Sequence, residues 1–461
     1  MLRLRKSPFK VDKIEDNPDA YALRRTEIIQ SIEALYNGRN IIVSGPRGIG
    51  KSSFAKQMQI LYQNDQRLLK RCDIEANFPH NLCVYYACDE NSTLSSLTLD
   101  LIYRIEQECL LIKSFTAGSQ KKFTAELNLK FVKASLETEI TSNRPASIVT
   151  HFINGLKVIN ASLINFTKYE GINIFLDELD RLPNEIKFGH FIKLIHEYFN
   201  QDGIKNTNFI FVGQRGIYSR LITEDRSIER LVRHIPISKI DIDESNHILE
   251  FAQYGAKPTF EITNKARDII LKLSAGFPYV IHLLGDSAFH EMENPANMDL
   301  QDVLAGLRKI LISDKNEKYL EILASLNRDQ RIILASMAIY ASNEVPAKIP
   351  CTWITKNLIG ALESDEELNT HLRELSELGV LIFNNEEQYA QFNDELFRVF
   401  LSLRRLNDLE KQMGDNEALS EEDYETISYE ANQLDDTLEY IESSDMNKIW
   451  DLDNYADLMK V

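Results

Sequence analysis

The chain has 461 residues, of which 44% are apolar and 26% charged, which is the composition of an ordinary globular protein of about three domains. No apolar run reaches the roughly 18 residues that cross a bilayer, and the basic start Met1–Lys6 precedes no apolar signal core. We therefore expect a cytoplasmic protein with no membrane partner. The five scattered cysteines are typical of buried free thiols, not of a disulfide framework or zinc site.

The net charge of −18 is unevenly distributed along the chain. Residues 406–461 hold 17 Asp and Glu against three Lys, a net charge of −14, so residues 1–405 carry only −4. A nearly neutral body with an acidic tail does not favour general nucleic-acid binding. Leu434, Leu438 and Ile441 lie at helical spacing, which predicts an acidic helical tail able to dock on a basic partner or on its own body.

A phosphate-binding loop is predicted near the start of the chain. Residues 1–20 read as a basic arm, and residues 21–35 end in a helix that precedes the strand Asn40–Ser44. Residues Gly45–Ser52 then match Gly-x-x-x-x-Gly-Lys-Ser, and a helical pattern follows. A Gly-rich turn that matches by chance is the alternative, but the strand before the loop and the helix after it argue against this.

The residue types of this loop suit phosphate chemistry. Glycines let successive N–H groups point at phosphate oxygens, and the helix N-terminus adds partial positive charge. Lys51 is expected to reach the β- and γ-phosphates, and the Ser52 hydroxyl to hold Mg²⁺. The predicted nucleotide contacts in the loop are Gly45, Pro46, Arg47, Gly48, Ile49, Gly50, Lys51, Ser52 and Ser53.

Further strands and helices alternate after the loop. A strand is predicted at Cys83–Cys88, and a helix capped by Asp89–Ser92 runs to about Leu111. Alternating apolar residues near Leu127 predict an inserted β-ribbon within about residues 112–145. A helix is predicted from about Ser147 to Ile164.

A second motif indicates hydrolysis. The apolar strand that begins at Gly171 ends in Asp177 and Glu178, and ligands of parallel sheets lie at that end of the strands. Asp177 is expected to bind the Mg²⁺ water shell, and Glu178 to polarise an attacking water as general base. A cap of the next helix is the alternative role for Glu178. Asp180 and Arg181 are expected to form a surface ion pair or a subunit contact.

The remaining elements complete an α/β core. A helix is predicted at Glu185–Asn200, a strand at Asn208–Gly213 that ends in Gln214 and Arg215, and a short strand at His234–Ile237. The alternation predicts a parallel-sheet P-loop NTPase core with helices on both faces. The predicted domains are a core at 21–240, a helical lid at 241–311, a winged-helix domain at 312–405 and the acidic tail at 406–461.

The order of these motifs resembles the STAND and Orc1/Cdc6-like branches of the AAA+ superfamily of P-loop ATPases. Residues 21–28 resemble the N-terminal adenine-contact motif, with Arg25 at its Arg position, although Arg24 stands where Gly is usual. Gln214 and Arg215 resemble the sensor-1 position, and Gly276-Phe277-Pro278 resembles a motif whose Pro278 packs beside adenine. No sensor-2 arginine is evident, which favours the STAND branch.

The resemblance implies an ATPase with ATP and Mg²⁺ as cofactors, and Arg215 among its catalytic residues. The Asn-Lys pairs at 264–265 and 447–448 lack the Asp that guanine-specific NTPases carry two residues later, which also favours adenine. If the protein assembles, a neighbouring subunit supplies an arginine finger; a solvated helix face is the equally good alternative. The candidates for this finger are Arg226, Arg230 and Arg233.

The sign of the charge favours a protein partner over DNA. The predicted recognition helix Leu362–Gly379 carries six acidic residues against Arg373, whereas a helix laid on phosphates needs the opposite sign. The sequence therefore predicts an ATP-dependent switch that forms homo-oligomers on ATP binding or contacts a separate effector protein. A role in bacterial defence or signalling rests on resemblance alone. A DNA-binding loader of the Orc1/Cdc6 type and an ATP-bound scaffold with little turnover are the alternatives.

Overall fold

A computed structural model describes residues 6–75, 78–113, 145–202, 206–311, 317–338, 348–357, 364–394 and 396–402, with single residues between them. The chain forms two compact units that alternate along the sequence. The sheet unit comprises Ile14–Gly45 and Gly50–Ile237. The helical unit comprises Met1–Lys13, Pro46–Ile49 and Ser238–Val461.

The sheet unit contains five parallel strands in the order β2-β3-β4-β1-β5. The strands are β1 (Asn40–Ser44), β2 (Asn81–Ala87), β3 (Gly171–Asp177), β4 (Thr207–Gly213) and β5 (Val232–Pro236). The described helices are α1 (Arg25–Tyr36), α2 (Lys51–Tyr62), α3 (Arg67–Arg71), α4 (Leu94–Leu110), α5 (Pro145–Phe166), α6 (Phe188–Asp202), α7 (Ile217–Glu224) and α8 (Ile228–Leu231). The chain thus has the α/β fold of a P-loop NTPase core, as its sequence predicts.

Burial explains why the strands read as continuous apolar runs. Every residue of β1, β3 and β4 is buried. Side chains of α4, α5 and α6 join those of the sheet in one apolar core, which includes Leu101, Phe152 and Phe191. A parallel sheet covered in this way has no solvated face, so its strands lack the polar alternation of exposed sheets.

Several element boundaries differ from the prediction. Helix α6 begins at Phe188 because Lys187 has a left-handed backbone (φ +49°) that ends the preceding 3₁₀ turn at Asn184–Ile186. The N-cap of α4 is Thr93, which accepts a hydrogen bond from the Ser96 N–H; Asp89–Ser92 do not cap it. Strand β5 begins at Val232, and the predicted β-ribbon lies outside the described residues.

The helical unit is described from residue 238 to residue 402, with the gaps given above. Its helices are α9 (Ile242–Gly255), α10 (Asn264–Ser274), α11 (Pro278–Glu291), α12 (Leu300–Leu311), α13 (Glu317–Ser325), α14 (Arg328–Ala338), α15 (Cys351–Asn357) and α16 (Asp365–Glu377). Its strands are β6 (Glu261–Ile262), β7 (Asn297–Met298), β8 (Ile349–Pro350), β9 (Leu381–Asn384) and β10 (Tyr389–Phe392). Helical residues 396–402 follow β10.

Two predictions in this unit meet different outcomes. The sequence of the predicted winged-helix domain indicates a hairpin with strands at 380–383 and 388–392, and this prediction is confirmed, because β9 and β10 pair antiparallel. Strand β8 adds a third strand to β10. The region 241–311 is not entirely helical, because β6 and β7 form a short parallel pair within it. The acidic tail from residue 406 onward lies outside the described residues.

The described residues of the basic arm belong partly to the helical unit and partly to the sheet unit, and they are packed in both. In the helical unit, the buried Phe9 ring fills a slot on α11 at Gly285, where a Cβ atom would lie 2.3 Å from the ring. The Lys10 N–H donates to His282 Nδ1 at 3.3 Å. In the sheet unit, the Gln57 amide donates to the Glu15 carbonyl at 2.8 Å. Backbone contacts and an aromatic anchor thus order this segment.

The five cysteines are buried free thiols, as predicted. Burial raises the pKa of Cys88 and of Cys109, each to about 12, so both sulfurs stay protonated and unreactive near neutral pH. Among the residues that the structure describes, no helix is both long enough and apolar enough to cross a membrane.

Candidate active site

The phosphate loop is divided between the two units. Gly45 and the residues from Gly50 onward belong to the sheet unit, whereas Pro46–Ile49 belong to the helical unit. Gly50 has a left-handed backbone (φ +98°) at the N-cap of α2, which begins at Lys51. Lys51 and Ser52 therefore occupy the first turn of a helix, where the N–H groups of the helix start and the helix dipole favour an anion.

Ser52 and Asp177 are brought together at the carboxyl edge of the sheet. The Ser52 hydroxyl donates to Asp177 Oδ2 at 2.8 Å, and the Tyr85 hydroxyl donates to the same oxygen. The Glu178 N–H donates to Asp177 Oδ1 at 2.8 Å. Asp177 itself is 5% exposed, so its orientation is fixed by these three donors and not by solvent.

The donor set at this edge fits a magnesium ion. A serine hydroxyl and a carboxylate are hard oxygen ligands, and Mg²⁺ is usually held by one or two such groups together with substrate phosphates. Because the two side chains already lie within hydrogen-bond distance of one another, a cation shared between them requires little rearrangement. Ser52 and Asp177 are the residues that would hold it.

Glu178 adopts an uncommon backbone conformation directly after β3. Its φ of +54° lies in the left-handed region, which costs a non-glycine residue free energy. Its side chain does not cap the next helix, which was the alternative role considered from the sequence. Its Oε2 lies 3.0 Å from Arg181 Nε. Both side chains are about half exposed, so water can reach the carboxylate.

Asp180 connects the strand end of β3 to that of β4. Its Oδ1 accepts a hydrogen bond from the Gln214 N–H at 2.8 Å. It therefore holds the backbone of the predicted sensor-1 position and does not form the predicted ion pair with Arg181. Arg215, the next residue, is exposed at this edge.

The part of the loop that belongs to the helical unit packs against α11 and Leu396. The Gly48 carbonyl accepts a hydrogen bond from the Tyr279 N–H at 3.3 Å. Gly48 has φ +75°, which favours glycine, and a Cβ atom there would lie 3.0 Å from the Leu396 side chain, which would have to shift by a few tenths of an ångström. Arg47 is exposed, and its charge partly offsets the burial that raises the pKa of Tyr319.

The predicted Gly-Phe-Pro motif forms the entry to α11. Pro278 is the first residue of the helix, where its missing N–H has no cost. Gly276 has φ +74°, and a Cβ atom there would lie 2.6 Å from the Ile240 carbonyl oxygen. The motif thus has a structural reason of its own, which is independent of any contact between Pro278 and adenine.

Other predicted site residues have contacts or positions of their own. Arg25 is half exposed and pairs with Asp73 at 3.0 Å, whereas its neighbour Arg24 is buried. The Ser53 hydroxyl accepts a hydrogen bond from the Glu15 N–H at 3.1 Å. The three candidate finger residues are exposed but do not share one helix face, because they lie before α8, on α8 and on edge strand β5: Arg226, Arg230 and Arg233.

Tyr85 is the site residue that the sequence analysis missed. A tyrosine inside an apolar strand is typical of ordinary strand packing, so nothing in its immediate neighbours distinguishes it. Register supplies the missing signal, because β2 pairs with β3 and places Tyr85 opposite Phe175, near the strand ends. A tyrosine and an aspartate near the carboxyl ends of neighbouring parallel strands are expected to meet, and this rule would have identified Tyr85 and Asp177.

Similar proteins were sought by sequence and by structure. No protein-family model matches the chain, and no curated protein matches it. Among solved structures, it is similar to a Walker-type ATPase of Pyrococcus abyssi at 17% identity and a TM-score of 0.48, covering 87% of this chain and 99% of that one.

The ORC2 protein of Aeropyrum pernix, solved as ADPNP-ADP complexes, shows 13% identity and a TM-score of 0.44 over 88% of this chain and 100% of that one. A RuvB variant from Thermotoga maritima shows 13% identity and a TM-score of 0.38 over 82% of this chain and 92% of that one. All three TM-scores lie below 0.5, so function has to be argued from the site.

Proposed function

We propose that this chain is a Mg²⁺-dependent ATPase that works as a nucleotide-controlled switch. The observation that carries the proposal is the convergence of Ser52, Asp177 and Glu178 at the sheet edge beside the first turn of α2. A phosphate loop, a carboxylate hydrogen-bonded to its serine and a second, water-accessible carboxylate are the parts that phosphoanhydride hydrolysis requires.

Each side chain has a separate task in this mechanism. Lys51 and the N–H groups of the first turn of α2 neutralise phosphate charge. Mg²⁺, held by Ser52 and Asp177, would supply further charge neutralisation on the phosphate oxygens. Glu178, whose carboxylate is about half exposed to water, accepts a proton from the attacking water or orients it.

The contacts of Gly48 support a switch. Its carbonyl accepts from the Tyr279 N–H, and its Cα faces Leu396, so the loop meets α11 and residues 396–402 directly. A loop that adjusts to a γ-phosphate changes these contacts, and a nucleotide shifts a population only through contacts that differ between states. The proposed output is assembly with a second copy or with a separate effector protein. Arg226, Arg230 and Arg233 are the proposed sources of a finger in trans.

Glu178→Gln tests the enzymatic part of this proposal. Because the variant keeps the shape but not the basicity, we expect phosphate release to fall by about 10²- to 10⁴-fold while ATP binding is retained. Glu185→Gln, an exposed change nearby, is the matched control and should match wild type. Equal rates for Glu178→Gln and wild type would remove Glu178 from its role, and a wild type without turnover would favour the scaffold.

The same Glu178→Gln variant tests the output. Its mass in solution, measured with and without ATP, should increase with ATP if the nucleotide drives self-association. An unchanged mass contradicts the oligomeric switch and leaves a separate partner, which co-purification with ATP-trapped protein would identify.

Charge on the described surface disfavours a DNA ligand. Helix α16 exposes Glu366, Glu374 and Glu377 against Arg373, and acidic groups repel phosphate. A gel shift with duplex DNA decides the question. Tight binding that weakens steeply with salt would replace the partner switch by a DNA-binding loader.

A further inference from the structure

Tyr85 holds the carboxylate that the proposed reaction depends on. Strand β2 pairs with β3 in parallel register, and the Tyr85 hydroxyl donates to Asp177 Oδ2. Ser52 donates to the same oxygen, and the Glu178 N–H donates to the other one. Among these three donors, Tyr85 is the only one that belongs neither to the phosphate loop nor to the strand end of β3.

The position of the Tyr85 hydroxyl is set by the sheet, because β2 pairs with β3 from Asn81 to Ala87. A protonated hydroxyl and an ionised carboxylate form a charge-assisted hydrogen bond, which is stronger and more directional than a neutral one. Asp177 therefore has a fixed partner on the adjacent strand.

We propose that Tyr85 is a positioning residue for the magnesium-nucleotide complex: its hydroxyl orients the Asp177 carboxylate that binds the cation. The inference rests on the proposed function, because it concerns the same site. The Ser52 hydroxyl would bind the cation through an oxygen lone pair and can keep its proton for Asp177, whereas Tyr85, which is not itself a ligand in this scheme, acts on the carboxylate alone. Groups that orient a ligand in this way typically change metal affinity by about 10- to 100-fold when they are removed.

The test compares Tyr85→Phe with Tyr86→Phe. Both changes delete one hydroxyl from β2, but the Tyr86 hydroxyl donates to Asp100 at 3.1 Å, away from Asp177. Binding of a non-hydrolysable ATP analogue is measured by calorimetry across a Mg²⁺ titration, and the melting temperature of each variant is recorded. The Mg²⁺ dependence of ATP turnover is measured in parallel.

For Tyr85→Phe we expect the Mg²⁺ midpoint of analogue binding to rise about tenfold or more. Binding without Mg²⁺ should stay within about twofold of wild type, since the hydroxyl acts through Asp177 and not on the nucleotide. Tyr86→Phe should match wild type in both. Equal midpoints for Tyr85→Phe and wild type overturn the inference, as does an equal loss of binding with and without Mg²⁺.

The measurements separate this inference from the proposed function. If wild type hydrolyses no ATP but the Mg²⁺ midpoint of analogue binding still shifts in Tyr85→Phe, the ATPase fails and the role of Tyr85 stands. If wild type binds no nucleotide, both fail. If Tyr85→Phe is unfolded at the temperature of the measurement, Tyr85→Gln, which retains a donor, replaces it. A Mg²⁺ midpoint of Tyr85→Gln within threefold of wild type supports the inference. A midpoint as high as that of Asp177→Asn overturns it.

Discussion

The two parts of the phosphate loop are fixed by different kinds of contact. Gly50–Ser52 belong to the sheet unit, where a helix start and the 2.8 Å hydrogen bond from Ser52 to Asp177 set their geometry. Pro46–Ile49 belong to the helical unit, where Gly48 meets Tyr279 and Leu396 through one longer hydrogen bond and apolar contact. In the proposed switch, the first part would bind phosphate and the second would transmit a change of position.

The phosphate loop would then serve two tasks, phosphate binding and coupling to the helical unit. Hydrogen bonds to a carboxylate are directional and fail abruptly when one donor is lost. Apolar contact with a side chain such as Leu396 is graded, because it responds to displacements of a few tenths of an ångström. Changes in the helical unit should therefore alter stability or coupling, whereas changes around Asp177 should alter catalysis.

Acid should weaken the helical unit through His282. Burial lowers the pKa of His282 to about 4, and the charge of Lys10 acts in the same direction. Between the ordinary histidine pKa of 6.5 and 4, the unfolded chain binds a proton that the folded unit does not, so stability is present above pH 6.5 and is lost as the pH falls. Wild type should lose up to about 3 kcal/mol more across this window than His282→Gln, measured by urea unfolding.

His290→Gln is the control for this prediction. His290 lies on the same helix α11 and is exposed, with its ring 3.7 Å from Asp286. Its replacement should leave the wild-type pH dependence intact. If His282→Gln keeps that dependence too, the contact between the Lys10 N–H and His282 does not bind the N-terminal segment to α11 in the manner described.

Gly48→Ala should sharpen the comparison at the loop itself. The left-handed backbone costs an alanine about 1–2 kcal/mol, and contact with Leu396 adds to this cost, so unfolding free energy should fall by about 2 kcal/mol. Gly379→Ala is the matched control, since Gly379 has φ +72° with no atom within 4 Å of the added Cβ. Equal losses in denaturant titrations of the two variants would show that Leu396 yields freely.

Arg181→Ala should have the smallest effect. The ion pair between Arg181 and Glu178 is about half exposed on both sides, and exposed pairs contribute from zero to about 1 kcal/mol. Unfolding free energy should change by less than about 0.5 kcal/mol and phosphate release by less than about threefold. Arg181→Lys keeps the charge and should match wild type. A rise in turnover of tenfold or more would show instead that Arg181 restrains Glu178.

Local patterns predicted the five strands of the sheet to within about two residues at each end. Continuous apolar runs that end in Ser44, Asp177 and Gly213 mark strands buried on both faces, and their shared carboxyl edge follows from parallel pairing. The hydrogen bond between Ser52 and Asp177 spans 125 residues, yet both partners stand at motif positions that the sequence identifies.

Features that depend on strand register, on the sign of a backbone φ angle or on packing between distant residues could not be predicted in the same way. Tyr85 depends on the pairing of β2 with β3, and the left-handed turn at Glu178 has no glycine to announce it. Phe9 packs against Gly285, which lies 276 residues away in the sequence. The composition of the basic arm gives no sign of this contact. Such contacts are decided by tertiary packing, which overrides local preference.

The interleaving of the two units limits how this chain can be dissected. The chain passes between units after Lys13, Gly45, Ile49 and Ile237, so no single cut separates them. A fragment that starts at Ser238 lacks Phe9 and leaves the slot at Gly285 open, exposing apolar surface that invites aggregation. A soluble fragment therefore needs residues 6–13 joined to it by a linker, and for fragment design those residues are a part of the helical unit.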